Sequence, residues 1–197
     1  MLGPLGMDST SIDREGYFVG TRASDYVGTF SKKAVAPAPA TNSSYKWAGG
    51  GLVSTPTDLV RLGNAVLNEG LLTEVAHTAM FTARTLPSGE LNPRHYGLGW
   101  QIGGLVVTDE ETGEDKIIKL INHGGTRAGS MAILMIVPDH DIVVAMTANT
   151  VGRGGSGPLA SAAAKVARQF IYGRSAPSNA TSLAARPTGR ASHPVTP

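Results

Sequence analysis

The sequence predicts an α+β fold: an antiparallel sheet of about four strands with flanking helices. Two observations carry this. From Tyr96 onward, four apolar runs follow one another across links short enough to be hairpins. On either side of them lie stretches whose apolar residues recur at helical spacing.

Taken in order, Met1 to Ile12 (MLGPLGMDSTSI) reads as a turn with no leading strand or helix. Arg14 to Phe30 reads as irregular chain with scattered aromatics, Tyr17, Phe18, Tyr26 and Phe30. Ala34 to Ala40 (AVAPAPA) is a Pro/Ala loop that favours extended backbone. A clear helix follows: Thr55 suits the N-cap, Pro56 the first helical position, and Asp58 is placed to complete a capping box. Leu59, Leu62, Gly63, Val66 and Leu67 then form its buried face, and Asn68 to Gly70 ends it. A weaker helix starts at Thr73 and carries Val75, Ala76, Ala79 and Met80.

Strands are predicted near Gly97–Thr108, Lys116–His123, Ser130–Val137 and Ile142–Asn149. Their links are Asp109–Asp115 (DEETGED), Gly124–Gly129 (GGTRAG) and Pro138–Asp141 (PDHD). Ser130–Val137 is almost wholly apolar, which predicts burial on both faces. A last helix is expected over Pro158–Ile171, with Leu159, Ala162, Ala163, Val166 and Phe170 facing the core. Past Arg174 there are four prolines and only Leu183 and Val195 as large aliphatics, so 173–197 reads as a disordered Pro/Ser/Ala/Arg tail.

Composition narrows the function. Three of the seventeen Lys and Arg residues (Arg174, Arg186, Arg190) sit in that tail, leaving 14 against 15 acids. No basic stripe remains, which argues against nucleic-acid binding. No run of about 18 apolar residues exists to form a spanning helix. With no cysteine, thiol nucleophiles, disulfides and Cys-ligated metals are excluded. The five histidines (His77, His95, His123, His140, His193) lack H-x-H or H-E-x-x-H spacing, so no metal site is expected. There is no P-loop, no G-x-G-x-x-G after a strand, and no G-x-S-x-G elbow. The acidic link Asp109–Asp115 holds five of the fifteen acids without EF-hand spacing and reads as a solvated turn.

What remains is His123 beside Gly124, Gly125 and Thr126. By residue type alone this is a strand-end histidine at a glycine-rich hairpin, or a place where a ligand meets the backbone. Four segments, taken together, resolve the choice. PLGMDST (Pro4–Thr10), YKWAGGGLVSTPTDLVRLGNAVL (Tyr45–Leu67), YGLGWQI (Tyr96–Ile102) and HGGTRAG (His123–Gly129) stand in the order found in the later half of serine β-lactamase-like proteins. That family includes penicillin-binding proteins, class C β-lactamases and related esterases. The Tyr45–Leu67 block is most similar to the family's mitochondrial members in animals.

The resemblance implies a partial β-lactamase/transpeptidase-like fold over 1–172. It also implies acyl transfer through a serine ester on a peptide, amide or ester, without metal or cofactor. Such enzymes acylate a serine in S-x-x-K, move protons with a tyrosine in Y-x-N, and hold substrate on a facing K-T-G or H-x-G strand. His123, Gly124 and Gly125 match H-x-G and would bind substrate, with His123 at the position of the lysine. The Thr126 N–H would form the oxyanion edge. Gly124 replaces the usual Thr or Ser, so one substrate-facing hydroxyl is missing, and a neutral imidazole anchors a carboxylate less well than Lys. Both departures favour esters or peptides over β-lactams.

The nucleophile half is not found. The one S-x-x-K, Ser43-Ser44-Tyr45-Lys46, follows a Pro/Ala loop, leads into glycines and is expected to be a chance match; no tyrosine begins a Y-x-N. Because PLGM follows Y-x-N in the family, the chain is expected to be a C-terminal fragment, inactive alone. Animal relatives assemble, so a non-catalytic, self-associating module is the alternative.

Overall fold

A computed structural model describes residues 2–14, 22–28, 35–68, 71–109, 111–151 and 155–175. Tyr17, Phe18, Phe30 and the predicted tail beyond Ser175 lie outside the described residues.

The first third of the chain is built from very short elements. A 3-10 turn over Gly3–Leu5 precedes β1 (Ser11–Ile12), followed by β2 (Tyr26–Gly28) and β3 (Val35–Pro37). A second 3-10 turn, Ser44–Lys46, runs into α1 (Trp47–Gly50), and β4 (Leu52–Val53) pairs antiparallel with β1. None of these strands was legible in the sequence, since two or three residues carry no periodicity. Within the Ser43–Lys46 stretch, expected to resist helix formation, Ser44–Lys46 forms the 3-10 turn, with Ser43 preceding it. The Lys46 N–H donates to Ser43 O at 3.1 Å and the Gly51 N–H to Lys46 O at 3.1 Å, so the glycines close the turn rather than break it.

Helix α2 (Pro56–Leu67) has the predicted start. The Thr55 hydroxyl accepts the Asp58 N–H at 3.2 Å, satisfying one orphan donor of the first turn. Gly63 and Val66 are buried where the apolar stripe places them. The Asp58 carboxylate differs from the predicted box: its oxygens meet Ser9, Thr10 and Arg61. Helix α3 (Glu74–Met80) starts at a Thr73 cap, but Val75 points outward at 81% exposure.

The predicted meander is present: β5 (Gln101–Thr108), β6 (Asp115–Arg127), β7 (Ser130–Val137) and β8 (Ile142–Ala148) pair antiparallel in that order. Strand β6 overruns its predicted end at His123 by continuing to Arg127, and only Ala128 and Gly129 form the turn to β7. Gly124–Thr126 are therefore sheet, not hairpin loop. The short β9 (Thr150–Val151) runs parallel to β2. Helix α4 (Gly157–Ser175) continues past Tyr172, the predicted domain limit.

Strand β7 is the centre of the molecule, with Ile133 to Val137 all buried as its composition predicts. On one face of the sheet, Ile133, Met135 and Val137 pack with Leu105, Val107 and Val144 against Ala163, Ala167 and Ile171 of α4. On the other, Ile121 and Ile136 pack with Val66 and Phe81, beneath α2 and Trp100. The core stripe of α4 is thus Ala163-Ala167-Ile171, spaced four apart. Phe170, predicted to face inward, lies 60% exposed because it falls outside that stripe.

Candidate functional site: the open end of strand β6

Strands β5 and β6 part company at the site. The β5 register ends with Gln101 opposite Asn122, whereas β7 accompanies β6 to its end, Arg127 opposite Ser130. Among the described residues no strand lies beside His123–Arg127 on the β5 side.

Which main-chain groups face that opening follows from the ladder. The Asp109 N–H donates to Glu114 O at 2.8 Å, so 109 and 114 are a hydrogen-bonded pair. Such pairs recur every second residue in an antiparallel ladder, which brings the count to Gln101 and Asn122. Asn122 therefore spends its N–H and C=O on β5. Gly124 and Thr126 have the same orientation with no strand opposite. Their N–H and C=O groups line the open edge, while those of His123, Gly125 and Arg127 turn to β7.

Side chains alternate about that edge. His123 is exposed and meets the Tyr96 ring edge-on, centroids 6.1 Å apart. Tyr96 is held by the segment after it. Leu98 N–H donates to Met80 O at 3.0 Å, and Gly97 passes so close to α3 that a Cβ would lie 2.1 Å from Met80 O. Only glycine fits there. On the opposite face, a Cβ on Gly124 would lie 2.8 Å from Ser156 Oγ and 3.4 Å from Ile133 Cδ1. Gly125 has open space.

A charged cluster that sequence reasoning missed fastens the end of β6. Arg127 donates from Nη1 to Asp13 Oδ2 at 2.7 Å, and from Nη2 to Asp25 Oδ2 and to Thr41 Oγ1, both at 3.0 Å. Arg22 Nη1 donates to the other Asp13 oxygen at 2.6 Å. Burial works to raise the Asp13 pKa, but the guanidinium groups of Arg127 and Arg22 outweigh it and hold the carboxyl below its ordinary value. The Trp47 indole N–H donates to Asp13 O at 3.3 Å, joining α1 to the cluster. The Arg127 contacts span 86 to 114 residues, so no local motif announces them.

A second buried carboxylate ties two motif segments together. Asp58 is fully buried and accepts the Ser9 N–H at 2.9 Å, the Thr10 hydroxyl at 2.8 Å and Arg61 Nη1 at 2.7 Å. Burial again opposes ionisation, and these bonds again prevail, keeping its pKa low. PLGMDST is thereby bound to the start of α2, Trp47 to the β6 terminus through Asp13, and YGLGW to His123 through Tyr96.

Ser43-Ser44-Tyr45-Lys46 has no nucleophile geometry. Ser43 is 1% exposed, its hydroxyl has no hydrogen-bond partner among the described residues, and the Lys46 ammonium lies 5.8 Å over the Tyr45 ring. Among the described residues no group of three or more His, Asp or Glu is arranged to hold a metal. No described helix is long and apolar enough to cross a membrane.

Comparison with known proteins agrees with this architecture. The chain is 29% identical over 174 residues to the mitochondrial serine beta-lactamase-like protein LACTB of Bos taurus, and 28% identical to that of Homo sapiens. Each alignment covers 73% of this chain and 30% of the relative, so the chain spans under a third of their length. The octameric penicillin-binding protein homologue from Pyrococcus abyssi superposes with a TM-score of 0.62 at 23% identity, covering 87% of this chain and 36% of that one. A D-stereospecific amidohydrolase from Streptomyces sp. gives 0.60 at 24% identity, covering 83% and 45%. The sequence profile of the beta-lactamase family matches residues 1–169, and the chain belongs to that family of serine hydrolases.

Proposed function

We propose that this chain forms one wall of an acyl-transfer cleft. His123 and Gly125 would flank a peptide, amide or ester laid along the open edge of β6, and the Thr126 N–H would donate to the developing oxyanion. The observation that supports this is the end of β6, which has no strand on its β5 side among the described residues, with Gly124 and Thr126 turning their main-chain groups outward and His123 standing beside them. An extended acyl group can occupy the place a strand would take, held by main-chain bonds. The serine that attacks the carbonyl, and the base that takes its proton and returns it to the leaving group, belong to the half of the cleft that residues 1–197 lack. Purified residues 1–197 are accordingly expected not to hydrolyse chromogenic esters, amides or β-lactams. Stoichiometric labelling by an active-site serine probe would overturn that.

The oxyanion role has its own test in the protein made from the complete coding sequence. Thr126→Pro removes the outward N–H and no ladder bond, so the fold should persist by circular dichroism. Turnover should fall about 100-fold or more. Undiminished turnover would rule out the Thr126 N–H.

A second reading, a non-catalytic self-associating module, draws on the octameric homologue and on exposed apolar residues such as Val106 and Ile117, paired across β5 and β6. Light scattering of purified 1–197 decides it: a defined oligomer favours the module, a monomer the cleft wall.

A further inference from the structure

The four-stranded sheet ends at β5, and among the described residues no strand lies on its outer side. Counted from the Asp109–Glu114 pair, the odd-numbered residues of β5 bond to β6. Gly104, Val106 and Thr108 therefore turn their main-chain groups outward, as does Ile102, whose N–H donates to His95 O at 2.9 Å. Such a row is a template for another strand, and β5 carries neither charge nor proline to spoil it. Helix α4 reaches round to it instead. Arg168 Nε donates to the Val106 carbonyl at 2.8 Å, and the Thr108 N–H donates to the Tyr172 hydroxyl at 3.1 Å. We propose that these two side chains are a latch, closing an edge through which a second copy of this chain would otherwise add its own β5. The inference stands apart from the cleft reading.

Arg168 and Tyr172 stand one helical turn apart, beside the Ala163-Ala167-Ile171 stripe that fixes α4 to the sheet. Apolar burial holds the helix, which leaves its flank to guard β5. Each group is matched to its target: a guanidinium only donates and meets a carbonyl, while the phenol oxygen accepts an N–H. A pairing strand would use those same main-chain groups, so the latch and a second strand exclude each other. Gly104 is exposed beyond their reach, and among the described residues nothing meets its outward groups. The edge is also self-complementary. About a two-fold axis at Val106, Gly104 of one copy would face Thr108 of the other, and Val106 its own mate. Val106 already pairs with Ile117 of β6, and the two are 42% and 76% exposed. Joining two copies would continue them as one apolar row across the joint, the cross-strand arrangement that stabilises sheets. An uncharged, self-matching row of this kind fits a second copy of the chain.

Arg168→Met with Tyr172→Phe keeps both stems and removes only the groups that reach β5, so the circular dichroism of residues 1–197 should be unchanged. Sedimentation velocity of this double variant should show a concentration-dependent doubling in mass that the wild type lacks. Amide exchange at Gly104 and Val106 should slow about tenfold or more as the dimer forms. Val106→Pro, added to the double variant, should abolish the dimer, since it removes an outward N–H and no ladder bond. A folded double variant that keeps the wild-type mass, or a dimer that survives Val106→Pro, would overturn the inference. If the double variant does not fold, exchange in the wild type decides. The Thr108 amide, bonded to Tyr172, should then exchange more slowly than that of Val106 at every concentration. Equal rates, or protection of Gly104 and Val106 that grows with concentration, would show an open edge and overturn the latch.

Discussion

The sheet with its two helices and the front of the molecule, residues 2–54, are held together by different forces. Strands β5 to β8 bury ten hydrophobic residues in one cluster with α4 and four more beneath α2. The front buries Met7 as its single large apolar side chain among the described residues, together with Asp13 and Ser43. It is fastened instead by carboxylates: Asp58 grips Ser9 and Thr10, and Asp13 and Asp25 grip Arg127. Apolar burial is non-directional and additive in area, so the sheet tolerates small losses. Buried charge is all or nothing, because one partner removed leaves the other desolvated and alone. Since the front bonds to the terminus of β6, the geometry of the open edge depends on the less forgiving region.

The largest expected effect follows from Asp58→Ala, which removes the buried acceptor shared by the Ser9 N–H, the Thr10 hydroxyl and Arg61 at once. The melting midpoint should drop by about 10 °C, with faster amide exchange in residues 2–14. Unchanged exchange there would refute the fastening role. Next is Arg127→Met, which keeps the bulk of the stem but leaves Asp13 with Arg22 alone. A loss of about 2–3 kcal/mol is expected by denaturant titration, with the exchange of β7 and α4 unaltered below the global limit. Uniform acceleration across the sheet would show that the two regions are one cooperative unit.

Acid should separate them without mutation. The carboxyls of Asp13 and Asp58 have folded pKa values below the ordinary 3.8. The stabilisation they provide is therefore complete above that unfolded value and is lost as pH falls through the lower folded values. The sheet core contains no such group. Trp47, bonded to Asp13, should report a change at acid pH before Trp100, which packs on Phe81 with ring centroids 5.7 Å apart. Fluorescence of Trp47→Phe and Trp100→Phe variants separates the signals. Simultaneous transitions would count against the division.

The same division explains what the sequence could reveal. The four strands, α2 and α4 were legible because burial on a face imposes a period on the residues, and a period survives in one dimension. The Asp13–Arg127 cluster was not, since it joins residues 114 apart and each is an ordinary surface type. At the site, the local structure of residues 124–126 was misread. Glycines at 124 and 125 suggested a loop, whereas the strand continues because Gly124 makes room for Ser156 and Arg127 is pinned beyond it. On α4, the helical face drawn through Leu159, Ala162, Ala163, Val166 and Phe170 counted Phe170 as core; the buried step runs instead from Ala163 to Ala167 to Ile171.

That last point gives a matched pair inside the sheet region. Ala167 is fully buried and Phe170 largely exposed, though phenylalanine is by far the more apolar. Ala167→Leu should cost about 1–3 kcal/mol by overpacking against β7 and β8, and Phe170→Ser should lie within about 0.5 kcal/mol of wild type.

The smallest effect belongs to the exposed link before β6. Lys116 donates to Asp109 at 2.8 Å, and with the Thr112 and Glu111 N–H groups lowers the Asp109 pKa to about 2. Asp109 would contribute fully above pH 3.8 and lose that contribution as pH falls towards about 2. Solvent screens a pair this exposed, and the link touches neither carboxylate cluster. Lys116→Ala should therefore leave the melting midpoint and the Trp47 acid transition where they are. A shift in the acid transition would mean that charge at the far end of β6 is felt at its open end. The strand would then act as a rigid lever between them, and the sheet and the front would no longer be separable.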